Sequence, residues 1–362
     1  MRIMIITNHS YMLYQFRREL IASLLKEHEV IISTPFVGHE EDFKEMGCTV
    51  INTYVDRRGV NPFTDYKLLS TYASLIRTWS PDKVITYSIK PNIYAGIVCR
   101  FKHVPYYANV QGLGTAFQKK SLAKIVTFLY KFAFQKVRVV FFENEGNALE
   151  FQKRHIISLS KQKVLHGAGV NLDHYDYQPY PCDETIHFLF VGRIMKEKGV
   201  EELFDAMKKL HQEYQNHVIL DVVGFFEDEY KDVVEELQQQ GILQFHGFQQ
   251  EVRPYYALSH CVVLPSYHEG MSNVLLEASA SGRAIITSNI PGCKEAVDEG
   301  INGYLCHVKD SSSLYECMKK FMTLSYTQKE MMGKRGREKM DREFNKENIV
   351  KETIESVMEV NQ

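Results

Sequence analysis

Short apolar runs alternate with stretches of helical period along the whole chain. In the first half the runs are Ile3–Thr7, Val30–Ser33, Thr49–Thr53, Lys83–Thr86, Tyr106–Val110 and Val139–Phe142. In the second half they are His187–Val191, Val218–Val223, Gln244–His246, Cys261–Leu264, Ala284–Thr287 and Tyr304–Cys306. Apolar strands separated by helices predict parallel sheets covered on both faces. Each half therefore reads as a doubly wound α/β unit of Rossmann type. Gly167, Gly169, Pro179 and Pro181 cluster where the halves join. The expected organisation is a domain over residues 1–168 and a second over 169–343. A last helix over 344–362 would cross back onto the first domain. In such an architecture the ligand belongs in a central cleft, at the carboxyl ends of strands.

Composition narrows the class. With 362 residues, 44% hydrophobic and 24% charged, the chain is an ordinary globular protein of two domains. The seven cysteines are scattered from Cys48 to Cys317 without a C-x-x-C pair. That argues against a disulfide framework or structural zinc, and for a reduced, cytoplasmic protein. No apolar run reaches the ~20 residues of a spanning helix. The first residues turn polar too soon for a secretory signal.

A net charge of −2 excludes a nucleic-acid polycation but conceals an asymmetry. Residues 1–165 carry 23 Lys+Arg and 13 Asp+Glu, and residues 166–362 carry 20 and 32. Between Arg100 and Lys163 there are 12 basic residues against three acids. Such a patch attracts an anionic partner. Within it, Lys119–Lys136 sets Lys120, Lys124, Thr127, Lys131 and Gln135 on one helical stripe and aliphatic and aromatic residues on the others. Two readings fit: a core helix with one wet face, or an interfacial helix on an anionic membrane surface.

The stretch richest in chemistry is Leu264-Pro-Ser-Tyr-His-Glu-Gly-Met-Ser-Asn-Val-Leu-Leu-Glu-Ala278. A strand ends at Pro265 and a helix starts near Ser272 or Asn273. Gly270 permits close approach of a ligand. The amides of Met271, Ser272, Asn273 and Val274 form an anion site at the helix N-terminus. Glu269 and Glu277 bracket this element. At ~1.5 Å per residue they would stand about 12 Å apart along a helix. Paired glycosidase carboxylates stand roughly 5–9.5 Å apart, so these two suit the ends of one extended ligand, such as a nucleoside diphosphate sugar. The second stretch is Phe190-Val-Gly-Arg-Ile-Met-Lys-Glu-Lys-Gly199. Gly192 permits a turn. Arg193 and Lys198 put two cations beyond a strand end, where a departing diphosphate gains charge.

Together these stretches resemble the C-terminal half of retaining GT-B glycosyltransferases of family four. The resemblance rests on Glu269–Glu277, on Gly192-Arg193…Lys198-Gly199, on Pro291-Gly292-Cys293…Glu295 and on Gly300-Ile-Asn-Gly303. It implies that Arg193 and Lys198 bind the donor diphosphate, that Glu269 contacts the donor sugar, and that Glu277 contacts the ribose. It further implies that the loops holding Gly224 and Phe248 flank the base. The first half carries Asn61-Pro62-Phe63, Tyr87-Ser-Ile-Lys-Pro-Asn92, Val110-Gln-Gly-Leu-Gly114 and Phe142-Glu-Asn-Glu145. These resemble a narrower group, N-acetylgalactosaminyltransferases among them, that extends glycans on undecaprenyl diphosphate. By that likeness Lys90, Gly112 and Gly114 face a lipid-linked glycan acceptor. Where many relatives have a glycine-rich first loop, this chain has Asn8-His9-Ser10-Tyr11, and His9 or Ser10 is expected to take that role. Gln111 stands where some relatives carry an acid, which disfavours a protein nucleophile there.

There is no D-x-D and no close histidine cluster, so no metal or other cofactor is expected. The implied activity is a metal-independent transfer from a nucleotide-sugar, UDP-linked by expectation, by an enzyme peripheral on the inner face of the cell membrane. A sugar-nucleotide epimerase and a non-catalytic nucleotide-sugar-binding protein are the competing readings.

Overall fold

Each of those apolar runs coincides, to within a residue at either end, with a β-strand of the computed structural model, which describes residues 1–56, 61–114, 117 and 120–359. Two units form: Met1–Ala168 with the chain from Glu347 onward, and Gly169–Lys346.

The first unit holds β1 (Arg2–Ile6), β2 (Glu29–Thr34), β3 (Thr49–Asn52), β4 (Lys83–Tyr87), β5 (Tyr106–Val110), β6 (Val139–Phe142) and β7 (Gln162–Val164). They pair in parallel in the order β3-β2-β1-β4-β5-β6-β7. Hydropathy does not predict β7, because Gln162-Lys163-Val164 is short and polar. Its strand character comes from pairing with β6, Val140 opposite Gln162. The second unit holds β8 (Ile186–Val191), β9 (Val218–Val223), β10 (Leu243–Gly247), β11 (Cys261–Leu264), β12 (Ala284–Ser288) and β13 (Gly303–Cys306). Their parallel order is β10-β9-β8-β11-β12-β13. In each sheet the strand order reverses once, between β1 and β4 and between β8 and β11. Those reversals open crevices at the strands' carboxyl ends.

The β-branched strands are buried on both faces. In the first unit, Met4, Ile31 and Val84 lie in one apolar cluster and Ile3, Ile5 and Ile32 in another. The last helix, Lys346–Met358, packs Ile349 and Val357 into the second of these clusters, which also contains Phe141. Two lysines fasten it there: Lys83 donates to the Val357 carbonyl at 2.5 Å, and Lys163 donates to Ser356 at 2.8 Å.

The helix Lys120–Ala133 meets neither sequence reading alone. Ala123, Val126, Tyr130 and Ala133 are buried in the core. Lys124, Ile125, Phe128 and Lys131 all face outward, with Phe128 67% exposed. The outer face thus mixes cations with apolar groups instead of segregating them, and Thr127 turns toward Arg154 at 3.5 Å. Lys119 lies outside the described residues, as does the Lys120 side chain. Among the described residues no helix is long and apolar enough to cross a membrane.

In the second unit the chain entering β8 is held by one fully buried arginine. Arg283 donates to the carbonyls of Tyr256, Ala257, Gln178, Pro179 and Gly282 at 2.7–3.1 Å. Its five donors match five acceptors, so the charge is solvated by peptide dipoles without a carboxylate. Arg283→Met should orphan these carbonyls and lower unfolding stability by at least about 3 kcal/mol. Urea denaturation checks this; an unchanged midpoint would contradict the role.

Candidate functional site

In the second unit the motif after β8 and the motif after β11 are knitted together by backbone as well as by charge. Gly199 sits at φ 70°, and a Cβ there would overlap the Pro265 carbonyl. The Tyr267 amide donates to the Glu197 carbonyl at 2.8 Å, and the Tyr267 hydroxyl donates to the Glu202 carboxylate. This apposition lets Lys198 Nζ donate to Glu269 Oε1 at 2.5 Å, and Ser266 Oγ donates to the same oxygen at 2.8 Å. Both charged side chains are largely shielded, 19% and 14% exposed. The sequence assigned Lys198 to a diphosphate and Glu269 to a sugar; their mutual ion pair was not anticipated.

Arg193 is held more loosely. Its guanidinium lies 3.5 Å from Glu227 and remains 44% exposed, so it can turn toward an incoming anion at small cost. Gly192 and Gly224 form the adjoining rim: the Gly192 amide donates to Val223, and the Gly224 amide to Gly247. Phe225 and Phe248, both exposed, meet edge to face at 6.2 Å beyond β9 and β10. They offer an aromatic surface on which a base can stack.

The helix after β11 is Asn273–Ala280. Its first-turn amides carry the partial positive charge expected of a helix start. Ser272 occupies the N-cap position, but its side chain makes no capping bond, and the Ser272 amide donates to Gly292 at 2.8 Å. Gly292, at φ 88°, lies so near the Gly270 and Glu269 carbonyls that a Cβ would collide with them. The Pro291–Glu295 loop is thereby pressed onto the carboxylate loop. The Met271 side chain is buried in the core, so of Met271 only the backbone is placed to face a ligand. His268 is exposed and, among the described residues, makes no hydrogen bond.

Glu277 is nearly buried. Burial pushes its carboxyl up from 4.5 to about 7, although Tyr256 donates to it at 2.9 Å and Tyr175 also hydrogen-bonds it.

In the first unit, a crevice of about 210 Å³ opens at the strand-order reversal. His9, Arg17, Tyr87, Ser88 and Gln111 line it. His9 caps the helix Ser10–Leu25, its Nδ1 accepting from the Met12 amide at 3.4 Å. Ser10 does not take part. It is fully buried, accepts from the Val37 amide at 2.7 Å and donates to Gly38 at 2.9 Å, so its hydroxyl staples the helix start to the loop after β2. Lys90 is no free surface lysine: it pairs with Asp65 at 2.7 Å, and both are 15% exposed. Gly112 and Gly114 follow β5, with Gly114 at φ 62° against Ile89.

Sequence reasoning missed a buried pair beside this crevice. Arg17 donates to Glu143 at 2.8 Å and lies 5.4 Å from the Tyr87 ring centre. It also missed Ser88, which holds φ 73° and donates to Asn8 at 2.8 Å, tying the loops after β1 and β4. Asn8 and Ser88 each belong to a sequence motif, but their pairing across 80 positions leaves no local signal.

Two parallel-sheet α/β units of this kind make up the GT-B fold of glycosyltransferases. The structure superposes on Anabaena Alr3699/HepE in complex with UDP with a TM-score of 0.80, at 16% identity over 98% of this chain and 99% of that one. Two family models match in succession: "Glycosyl transferase 4-like" over residues 2–144 and "Glycosyl transferases group 1" over residues 181–339. Between them the two models span most of the chain, one on each unit, and the chain is a glycosyltransferase of the GT-B fold. It is 25% identical to the N,N'-diacetylbacillosaminyl-diphospho-undecaprenol alpha-1,3-N-acetylgalactosaminyltransferase of Campylobacter jejuni, over 87% of this chain and 88% of that protein. It is also 25% identical to the capsular polysaccharide biosynthesis glycosyltransferase CapM of Staphylococcus aureus, over 52% of each chain.

The raised Glu277 pKa fixes a stability slope. As pH climbs from 4.5 to about 7 the unfolded chain loses this proton and the folded chain keeps it, so stability falls across that window and then levels. Each unit of displacement is worth about 1.4 kcal/mol. Glu277→Gln should remove the slope and leave the ligand-free protein more stable above pH 7. Chemical denaturation at pH 5 and pH 8 checks this; parallel curves for both proteins would contradict it.

Proposed function

We propose that the chain transfers a sugar from a UDP-sugar, with retention and without a divalent metal, onto a lipid-diphosphate-linked glycan in bacterial surface polysaccharide assembly. The observation that carries this reading is the convergence of Arg193, the Lys198–Glu269 pair and the Asn273–Ala280 helix start in one unit. Cations and amides there suit a diphosphate, and a shielded carboxylate beside them suits sugar hydroxyls. Phe225 and Phe248 suit a base, and Glu277 suits ribose hydroxyls. The activities of the C. jejuni and S. aureus relatives and the UDP held by the Anabaena structure support the choice of substrates.

The chemistry follows from charge. As the bond between the sugar's anomeric carbon and the diphosphate breaks, negative charge gathers on the leaving oxygen. Arg193 and Lys198 oppose that charge more strongly in the transition state than before it. An acceptor hydroxyl forms the new bond on the same face and gives its proton to the departing phosphate oxygen. Gln111 is no base, and no carboxylate lines the first unit's crevice among the described residues. The acceptor role is assigned to that crevice, which His9 and Gln111 line, together with Lys90 and the Gly112–Gly114 turn, which follow the carboxyl ends of β4 and β5. The exposed Lys124, Ile125, Phe128 and Lys131 suit an anionic membrane surface, which makes the enzyme peripheral on the inner face of the cell membrane.

Lys198→Met should lower turnover about 100- to 1,000-fold while leaving circular dichroism unchanged; near-normal turnover would count against the leaving-group role. The assay is a donor screen against undecaprenyl-diphosphate sugars with mass readout, in EDTA. Product in EDTA is expected. Loss of product on chelation would refute metal independence, and an epimer formed from UDP-sugar alone would favour the epimerase reading. In a separate test, Lys124→Gln with Lys131→Gln should reduce flotation with anionic vesicles. Undiminished flotation would return that helix face to plain solvent exposure.

A further inference from the structure

At the amino ends of β5 to β7, the end of the sheet opposite the His9 and Gln111 crevice, the first unit carries a second depression of about 510 Å³. That volume lies in the range of small-ligand sites. Lys136, Arg138, Lys161 and His103 line it, and none of its lining residues is acidic. Three helical segments, Ile89–Lys102, Phe134–Lys136 and Leu159–Lys161, end around it. Their terminal carbonyls account for part of the positive charge: Lys161 donates to the Gln135 carbonyl at 3.3 Å, and Lys136 to His103 Nδ1 at 3.4 Å.

Arg138 is different. It lies outside any helix, and among the described residues its guanidinium has no hydrogen-bond acceptor and no carboxylate at ion-pair distance. Burial, and next to it the Arg138 charge, holds Lys161 below the usual lysine range; the same two causes act on Lys83. Asp82 offsets Lys83 in part, and Glu359 faces Tyr107. Lys161 is partly buried while Lys136 and Arg138 are exposed, and no acid of the lining compensates the three cations. A concave surface with several cations and no acid draws anions, and an anion seated among them relieves their mutual repulsion.

We propose that this depression is a phosphate-binding site, separate from the donor loops, held by Arg138, Lys161 and Lys136. Beside it Arg100 lies over the rings of Phe101 and Phe132, at 5.3 and 4.3 Å from their centres, and Phe101 is 62% exposed. A phosphate there has apolar surface next to it, as a lipid headgroup requires; a soluble phosphate compound shares the same chemistry. The site stands apart from the transfer reaction, so turnover on a water-soluble acceptor is independent of it.

The test uses the full chain and Arg138→Gln/Lys161→Gln, with Arg138→Gln alone as the milder variant. Inorganic phosphate is titrated while backbone amide shifts are followed. Flotation is measured with phosphatidylglycerol and with phosphatidylcholine vesicles. Expected are phosphate-induced shifts confined to residues near 103, 136–138 and 160–161, weakened about tenfold in the double variant. A matching loss of phosphatidylglycerol flotation identifies a lipid headgroup. Lost shifts with undiminished flotation identify a soluble phosphate. If the wild type shows no local shifts and flotation is equal in both proteins, the site is refuted. Unchanged turnover in the variants keeps this result distinct from any failure of the transferase reading.

Discussion

The ion pair between Lys198 and Glu269 is the constraint on which the second unit's chemistry depends. Seventy-one positions separate the two residues, yet a short hydrogen bond joins them in a partly shielded place. Removing either partner would strand a charge that water cannot fully reach. The pair therefore fixes the loop after β8 against the loop after β11 more firmly than either loop's backbone could. In the proposed transfer it would also temper the lysine: a cation already neutralised by a carboxylate holds a ground-state diphosphate less tightly than a bare one, and its pull grows as the leaving group gains charge, the differential that raises a rate rather than merely an affinity.

The first unit solves a different problem. Its crevice is held open by Ser88 in a backbone conformation that non-glycine residues seldom adopt, and by a hydrogen bond from that residue to Asn8. Strain of this kind costs about 1–3 kcal/mol and persists only where surrounding contacts determine it. Here those contacts are the Ser10 staple on one side and the buried Arg17–Glu143 pair on the other. Both were invisible to a reading that weighed each motif alone.

The contrast shows what a sequence displays. Strands such as Val218–Val223 and Cys261–Leu264 announce themselves because a buried parallel strand must be apolar throughout. Gly199 and Gly292 were legible as motif glycines, while the carbonyls that require them belong to distant loops. Ser10 misled because a small hydroxyl after a first strand looks the same whether it meets a ligand or a neighbouring loop; only its burial separates the two. The ion pair of Lys90 left no local signal, because its partner Asp65 lies 25 positions earlier on another helix. The helix Lys120–Ala133 could not be decided by periodicity, because a helix that both supports a core and presents phenylalanine outward satisfies both patterns at once.

Charge is handled differently around the donor loops of the second unit and around Arg138 of the first. In the second, each cation of the donor loops has a carboxylate at hand: Glu269 for Lys198, Glu227 for Arg193. Such pairs suit a ligand that must come and go, since the carboxylate takes the cation back when the diphosphate leaves. In the first, the cations around Arg138 have only carbonyls and an imidazole as partners. Carbonyl dipoles satisfy hydrogen-bonding capacity but leave net charge in place. At the proposed phosphate site no carboxylate of the lining therefore competes with an anion, whereas in the donor loops an anion must draw each cation from its carboxylate.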